Sequence, residues 1–139
     1  MQLISNSAVG LAALVLLAVG SGCTPEVKTH PVAGKVLLPT GDPATRGVIE
    51  FRTVNEEGEI VNAFGEIRAD GSFELTTYEE NDGALAGEHE AIVLDPANTD
   101  GGPVQRSLFP SRYRAYESSD LKFTIKPGPN DLVVELEGK

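Results

Sequence analysis

The sequence has few of the residues that carry common site chemistry, with no tryptophan, one cysteine and two histidines. A single cysteine allows no internal disulfide, so stability must come from apolar burial and backbone pairing. We expect neither a metal nor a cofactor, because two histidines and one cysteine are a poor basis for a zinc site. Basic residues are also scarce: 11 Lys and Arg against 21 Asp and Glu give a formal net charge of −10. We therefore expect no nucleic-acid partner, because phosphate binding needs clustered Lys and Arg.

The N-terminal segment carries no charged side chain before Glu26. Within it, residues 8–20 form an uncharged run of 13 residues. As a helix this run would be about 20 Å long, which is short of the roughly 30 Å hydrocarbon core of a bilayer. Small residues follow it directly, and the chain's cysteine comes next at Cys23. This order predicts a signal peptide over residues 1–22. Two other interpretations stay open, namely an uncleaved anchor extended through Leu3 and Ile4, or an ordinary secretory signal that leaves a free thiol.

The junction at Cys23 resembles the lipobox of bacterial lipoproteins. In that family the thiol receives a diacylglyceryl group, the signal is cut before the cysteine, and the new amine is acylated. The resemblance implies lipid attachment at Cys23, a lipidated N-terminus and linker over residues 23–29, and a folded domain over residues 30–139. It also implies export and anchoring to the cell envelope through acyl chains on Cys23. Acyl chains would be needed, because an acidic domain is repelled by anionic lipid.

Seven segments are candidate strands separated by Gly, Pro and Asp turns, and several of them alternate apolar and polar residues with a period of two. No segment has a sustained helical period. The signal for a β-hairpin is clearest at residues 69–72, because the Asp70–Gly71 dipeptide tolerates the positive φ angles that a tight turn requires. The pattern predicts an all-β fold, a seven-stranded antiparallel β-sandwich of the Greek-key or immunoglobulin-like kind. The predicted strands are residues 32–38, 47–54, 60–68, 73–77, 87–95, 121–126 and 132–137.

Several short segments, in order and spacing, resemble small bacterial lipoproteins that have a carboxypeptidase regulatory-like, transthyretin-like domain. The resemblance covers about residues 30–136 and implies a seven-stranded sandwich displayed in the cell envelope. No general catalytic activity or ligand is established for that family. The segments that carry the resemblance are residues 30–36, 46–51, 69–75, 82–84 with 87–88, 110–113 and 125–132.

Candidate catalytic and metal-binding residues are few. His89 shares a predicted strand face with Ala91 and Val93, so we expect a half-buried packing residue rather than a base. Asp95, Asn98 and Asp100 could donate oxygens to Ca²⁺, but their spacing matches no standard calcium loop, and solvated carboxylates are the preferred interpretation. No G-x-S-x-G and no phosphate-binding glycine loop occurs in the sequence.

A recognition patch is predicted after the long loop formed by residues 96–110. Arg112, Tyr113, Arg114 and Tyr116 cluster there, and tyrosine with arginine is typical of binding surfaces. The preferred alternative is that Tyr113 plugs the end of the sandwich while both arginines pair with surface carboxylates. The loop itself is either functional or a disordered surface segment.

These observations favour a non-enzymatic, lipid-anchored envelope module that binds a protein or glycan partner or has a structural role at the surface. The alternative is a transthyretin-fold hydrolase that opens hydroxyisourate. Such hydrolases end in a Tyr-Arg-Gly-Ser tail, whereas this chain ends in Val134-Glu-Leu-Glu-Gly-Lys139. The internal sequence Tyr113-Arg-Ala-Tyr116 is only superficially similar, so we expect no enzymatic activity.

Overall fold

The structure is a computed structural model that describes Gly22 and residues 26–138. The predicted signal peptide, apart from Gly22, and the predicted lipid attachment at Cys23 lie outside the described residues. Within the described part, no helix is long and apolar enough to cross a membrane. The elements are β1 (Thr29–His30), β2 (Val32–Leu37), β3 (Val48–Val54), β4 (Ile60–Glu66), β5 (Ser72–Glu74), β6 (Ala84–Leu85), β7 (Gly87–Leu94), a 3-10 helix (Ser111–Arg114), β8 (Leu121–Ile125) and β9 (Asn130–Glu135).

The strands form three sheets in a β-sandwich-like arrangement. One sheet has four antiparallel strands in the order β4-β3-β7-β8. A second has three strands in the order β5-β2-β9, and β1 pairs with β6 in a small third sheet. The prediction of an all-β fold is therefore confirmed.

The core lies between the four-stranded and the three-stranded sheets. Alternate residues of β3 point inward, so that Ile49 and Phe51 have no exposed surface, and Val36 of β2 is equally buried. The rings of Phe51 and Phe73 lie 6.4 Å apart, which joins the two sheets across the core. Period-two alternation in the sequence thus produces two apolar faces that bury each other.

The predicted strand count and strand directions need correction. The described residues contain nine strands rather than seven. The two additional strands, β1 and β6, have two residues each, which is too short to show alternation in the sequence. The prediction of a purely antiparallel sandwich is wrong at one pair, since β2 and β9 run parallel, with Val32 opposite Asn130. Because β2 and β9 run parallel, the whole chain between them forms the crossover connection. The local pattern of apolar and polar residues in a strand does not indicate which distant strand it pairs with.

The turn at Asp70–Gly71 is present, but the predicted hairpin needs correction, because β4 and β5 belong to different sheets. Gly71 has a φ of 84°, and its amide donates to the Arg68 carbonyl at 2.8 Å. After the turn the chain crosses to β5 in the other sheet, and only an isolated bridge between Phe64 and Thr76 returns to β4. The dipeptide therefore predicted the turn geometry correctly, but not the sheet that the next strand joins.

The sandwich has two distinct ends. At the β1 end, residues 26–28 lie beside the turn between β3 and β4, and Gly128 donates to His30 Nδ1 at 3.0 Å. The opposite end, which we call the loop end, contains residues 38–47, 67–71 and 95–110. Strand β2 begins at the β1 end and runs to the loop end, so the chain enters the sandwich far from the long loop.

Candidate recognition site

The four residues of the predicted recognition patch do not form one surface. Tyr113 lies in the 3-10 helix and is only 1% exposed, so its ring belongs to the core. Its hydroxyl accepts a hydrogen bond from the Glu137 amide at 2.9 Å and another from Arg112. The Arg112 guanidinium lies 4.3 Å above the Tyr113 ring and 3.5 Å from Asp120. Arg112 and Tyr113 thus fix the C-terminal segment against the helix.

Tyr116 lies on the outer face of the four-stranded sheet. Its hydroxyl donates to Glu50 at 2.8 Å, and the Arg52 guanidinium lies 3.8 Å above its ring. Arg52 also pairs with Glu90 at 2.8 Å. Burial, followed by the hydrogen bond to Glu50, raises the pKa of Tyr116 well above its usual range. Tyr116 is therefore a neutral donor that attaches the 115–119 segment to the sheet.

Arg114 is the member of the patch that stays exposed. Among the residues that the structure describes, no carboxylate lies within ion-pair distance of its guanidinium. Arg114 instead lines a groove at the loop end, together with Arg46, which is 68 positions earlier in the chain. We call this cavity the loop groove. Its volume is 580 Å³, and its lining residues include Arg46, Asp95, Asn98, Asp100, Gln105, Ser107 and Arg114.

Close packing beside Gly47 positions the loop groove. Gly47 has a φ of 122°, and a Cβ there would lie 2.8 Å from the Leu94 carbonyl oxygen and from the Phe109 ring. Phe109 is buried, and its amide donates to Ser107 Oγ at 3.2 Å. The long loop is therefore held at both of its ends against the segment that carries Arg46.

The polar groups of the loop groove are partly fixed by the loop backbone. Arg46 is half-buried and donates one hydrogen bond to the Arg106 carbonyl at 3.0 Å. Asn98 donates to the Gly102 carbonyl at 3.1 Å. Asp95 and Asp100 bring two carboxylates to the same groove. The described residues contain no group of three or more His, Cys, Asp or Glu side chains that could hold a metal ion.

Both histidines lie away from the loop groove. His89 is 3% exposed, so it is fully buried rather than half-buried, and its ring packs edge-on against Phe51 at 5.9 Å. Its Nε2 lies 2.8 Å from the Leu85 carbonyl oxygen, whereas Nδ1 has no partner among the described residues. Burial lowers the pKa of His89. The side chain is thus a neutral packing residue at neutral pH.

Sequence reasoning identified Arg114 but missed Arg46. Arg46 directly precedes the close-packed Gly47, and this contact brings it to the base of the long loop. An Arg-Gly pair before a strand was the only local signal, and by itself it does not predict which loop packs on the glycine.

Comparisons with known proteins give no family for this chain. No family model matches it, and no curated protein matches it. Among solved structures, the crystal structure of the major plantain pollen allergen Pla l 1 aligns with 80% of this chain and 98% of its own, at 11% identity. Its TM-score of 0.34 is too low to carry an argument about fold or function. Function is therefore inferred from the chain's own residues.

Proposed function

We propose that this protein is an exported, lipid-anchored module of the bacterial cell envelope that acts by binding rather than by catalysis. The anchor is Cys23, as its resemblance to a lipobox cysteine implies. We further propose that the long strands follow a Greek-key, transthyretin-like connection and that the domain is of the carboxypeptidase regulatory-like type. The order of the segments that resemble this family supports the proposal.

The observation that carries the proposal is that the N-terminal entry of the chain and the loop groove lie at opposite ends of the sandwich. The chain enters at the β1 end, and the loop groove with Arg46 and Arg114 lies at the opposite end. A linker of six or so residues has a reach of only about 15 Å, so an anchor at Cys23 keeps the β1 end close to the membrane. The loop groove then faces away from the bilayer, where an envelope partner can reach it.

The charge of the β1 end agrees with anchoring by acyl chains alone. Its turn between β3 and β4 carries Glu56, Glu57 and Glu59, which anionic lipid headgroups repel. Stable attachment then needs two or more acyl chains, since one chain gives only marginal binding.

Binding is favoured over catalysis by the residues that line the loop groove. None of these described residues is a histidine or a cysteine, and the guanidinium groups there are recognition groups rather than proton carriers at neutral pH. The site therefore has donors and acceptors in a concave surface, which is suited to holding a polar ligand.

Cell fractionation tests the proposed attachment. The wild-type chain should stay with membranes in high salt and be released by detergent, because acyl chains, unlike charge, are insensitive to screening. The Cys23→Ala variant should carry no acyl chain and should keep residues 1–22, because in lipoproteins the cut follows acylation of the thiol, whereas a Thr24→Ala control should be processed like the wild type. Release of the wild-type chain by high salt, or removal of residues 1–22 from Cys23→Ala, would contradict lipid anchoring.

A further inference from the structure

We propose that the loop groove binds an acidic glycan, with Arg46 and Arg114 holding the carboxylate of a uronic acid unit. This inference names the partner class of the proposed envelope module. It rests on that proposal only for the outward orientation of the loop groove, since the contacts themselves come from described residues.

The distribution of the arginines is the first argument. The chain has six arginines. Arg52, Arg68 and Arg112 do not line the loop groove, although Arg68 lines a neighbouring cavity with Arg46. Each of the three pairs with a carboxylate, at 2.8, 2.9 and 3.5 Å, respectively. The other three, Arg46, Arg106 and Arg114, belong to the loop groove or to the loop that forms it. For these three, the described part of the chain provides no ion-pair partner.

Unpaired arginines are unexpected in a chain with a net charge of −10, where carboxylates are abundant. A guanidinium presents five N–H donors in a planar fork that matches a carboxylate. Arg46 uses one nitrogen on the Arg106 carbonyl, which holds the half-buried side chain in place while other donors stay open. The groove therefore offers positive charge that is partly preorganised for an external anion.

The carboxylates of the loop groove define the ligand further. Asp95 and Asp100 would repel a compact anion such as phosphate, but they accept hydrogen bonds from hydroxyl groups. A uronic acid unit has both features, a carboxylate for the arginines and several hydroxyls for the aspartates. An acidic peptide has the carboxylates without the row of hydroxyls. The mixture of charges thus favours an acidic glycan over an acidic peptide.

Shape and apolar contacts agree with a sugar ligand. The 580 Å³ of the loop groove falls within the roughly 300–1,000 Å³ of small-molecule sites. Pro96, Pro103 and Val104 line one part of it, and Val104 is among the most exposed apolar side chains of the described chain. These side chains can cover the C–H surfaces of a sugar ring, while the open shape lets a polymer extend beyond the bound unit.

Binding of polygalacturonate to the full-length chain in detergent tests the inference. The double variant Arg46→Gln/Arg114→Gln removes both charges from the loop groove, and Arg52→Gln is the control because that arginine lies on the outer face of the four-stranded sheet, away from the groove. Calorimetry should show saturable binding of polygalacturonate by the wild type and the control. The double variant should bind at least about tenfold more weakly, since hydrogen bonds between charged groups are lost. Circular dichroism should show that all three proteins are folded.

The inference would be overturned by no binding of polygalacturonate to the folded wild type, by equal binding to the double variant, or by equal binding of neutral dextran. Tighter binding of polyglutamate would also overturn it, in favour of an acidic peptide. Cys23→Ala separates this inference from the anchoring proposal, because that variant should bind polygalacturonate like the wild type. A failure of lipid attachment would leave the binding result intact.

Discussion

Gly47 and Phe109 lie so close together that a Cβ on Gly47 would come within 2.8 Å of the Phe109 ring. This contact joins the start of β3 to the end of the long loop, 62 positions later in the chain. Arg46 precedes the glycine, and Arg106 lies near the phenylalanine, so the contact positions the wall of the loop groove. The groove is thus a consequence of core packing rather than of loop conformation alone.

The substitution Gly47→Ala should destabilise the protein by about 1–3 kcal/mol, because the new methyl group would overlap Phe109 and the Leu94 carbonyl. The φ of 122° adds strain for any L-residue. Urea unfolding measures the loss. Gly58→Ala is the matched control, since Gly58 also has a positive φ but open space around it. Equal losses for both variants would mean that the contact with Phe109 adds nothing beyond backbone strain.

Tyr113→Phe should destabilise the protein by about 1 kcal/mol, because the Glu137 amide loses its acceptor. Hydrogen exchange of that amide should also become faster as the C-terminal segment detaches. Tyr78→Phe provides the control, since Tyr78 is 57% exposed. Unchanged exchange at Glu137 would show that the hydroxyl does not hold the C-terminal segment.

Stability should fall as the pH drops below neutral because of His89. Burial, partly offset by the contact with the Leu85 carbonyl, lowers the pKa of His89, so the unfolded chain binds the proton first. The contribution of neutral His89 to the free energy of unfolding is fully present above the unfolded pKa of about 6.5. It is lost as the pH falls from there toward the lower folded pKa. The slope of the unfolding free energy between about pH 7 and 5 should reach at most about 1.4 kcal/mol per pH unit. His89→Leu should have a shallower slope in urea unfolding, and identical slopes would contradict the assignment.

Asp82 should stabilise the conformation of the segment between β5 and β6. Its carboxylate accepts hydrogen bonds from the amides of Thr77, Tyr78 and Glu79 at 2.7, 3.1 and 3.1 Å. Burial alone would raise its pKa, but these hydrogen bonds outweigh burial and lower the pKa. Asp82→Ala should cost about 1–2 kcal/mol at neutral pH.

The contribution of Asp82 should be present above its unfolded pKa of about 3.9 and be lost as the pH falls through the lower folded value. The difference between wild type and Asp82→Ala should therefore shrink in strong acid. Glu80→Ala is the control, because Glu80 is exposed and none of the hydrogen bonds between described residues involves its side chain. A constant difference down to low pH would contradict the role of the charged carboxylate.

The sequence predicts most of the longer strands, because their own alternation of apolar and polar residues indicates them, whereas β1 and β6 have two residues each and are too short to show it. β3 lies within one residue of its predicted bounds at each end. The partners of the strands are less predictable, because β2 pairs with β9 almost 100 positions away. β5 also ends at Glu74 rather than at residue 77, since the chain leaves that sheet and pairs with β4 only at Thr76.

The candidate site was predictable only in part, for a similar reason. Tyrosine and arginine in residues 112–116 indicated recognition, but the sequence leaves open whether each side chain faces solvent or the core. Tyr113 faces the core, whereas Arg114 faces the loop groove. Arg46 lies in the loop groove because Gly47 packs on Phe109. The residues around Arg46 in the sequence do not indicate this contact.

The mass of the mature N-terminal peptide tests the proposed envelope anchoring most directly. It should be measured in membrane fractions for wild type, Cys23→Ala and a Thr24→Ala control. Lipid anchoring predicts an acylated peptide that begins at Cys23 in the wild type and the control, and its loss in Cys23→Ala. In the wild type, an unmodified peptide that begins elsewhere, or one that retains residues 1–22, would contradict the account.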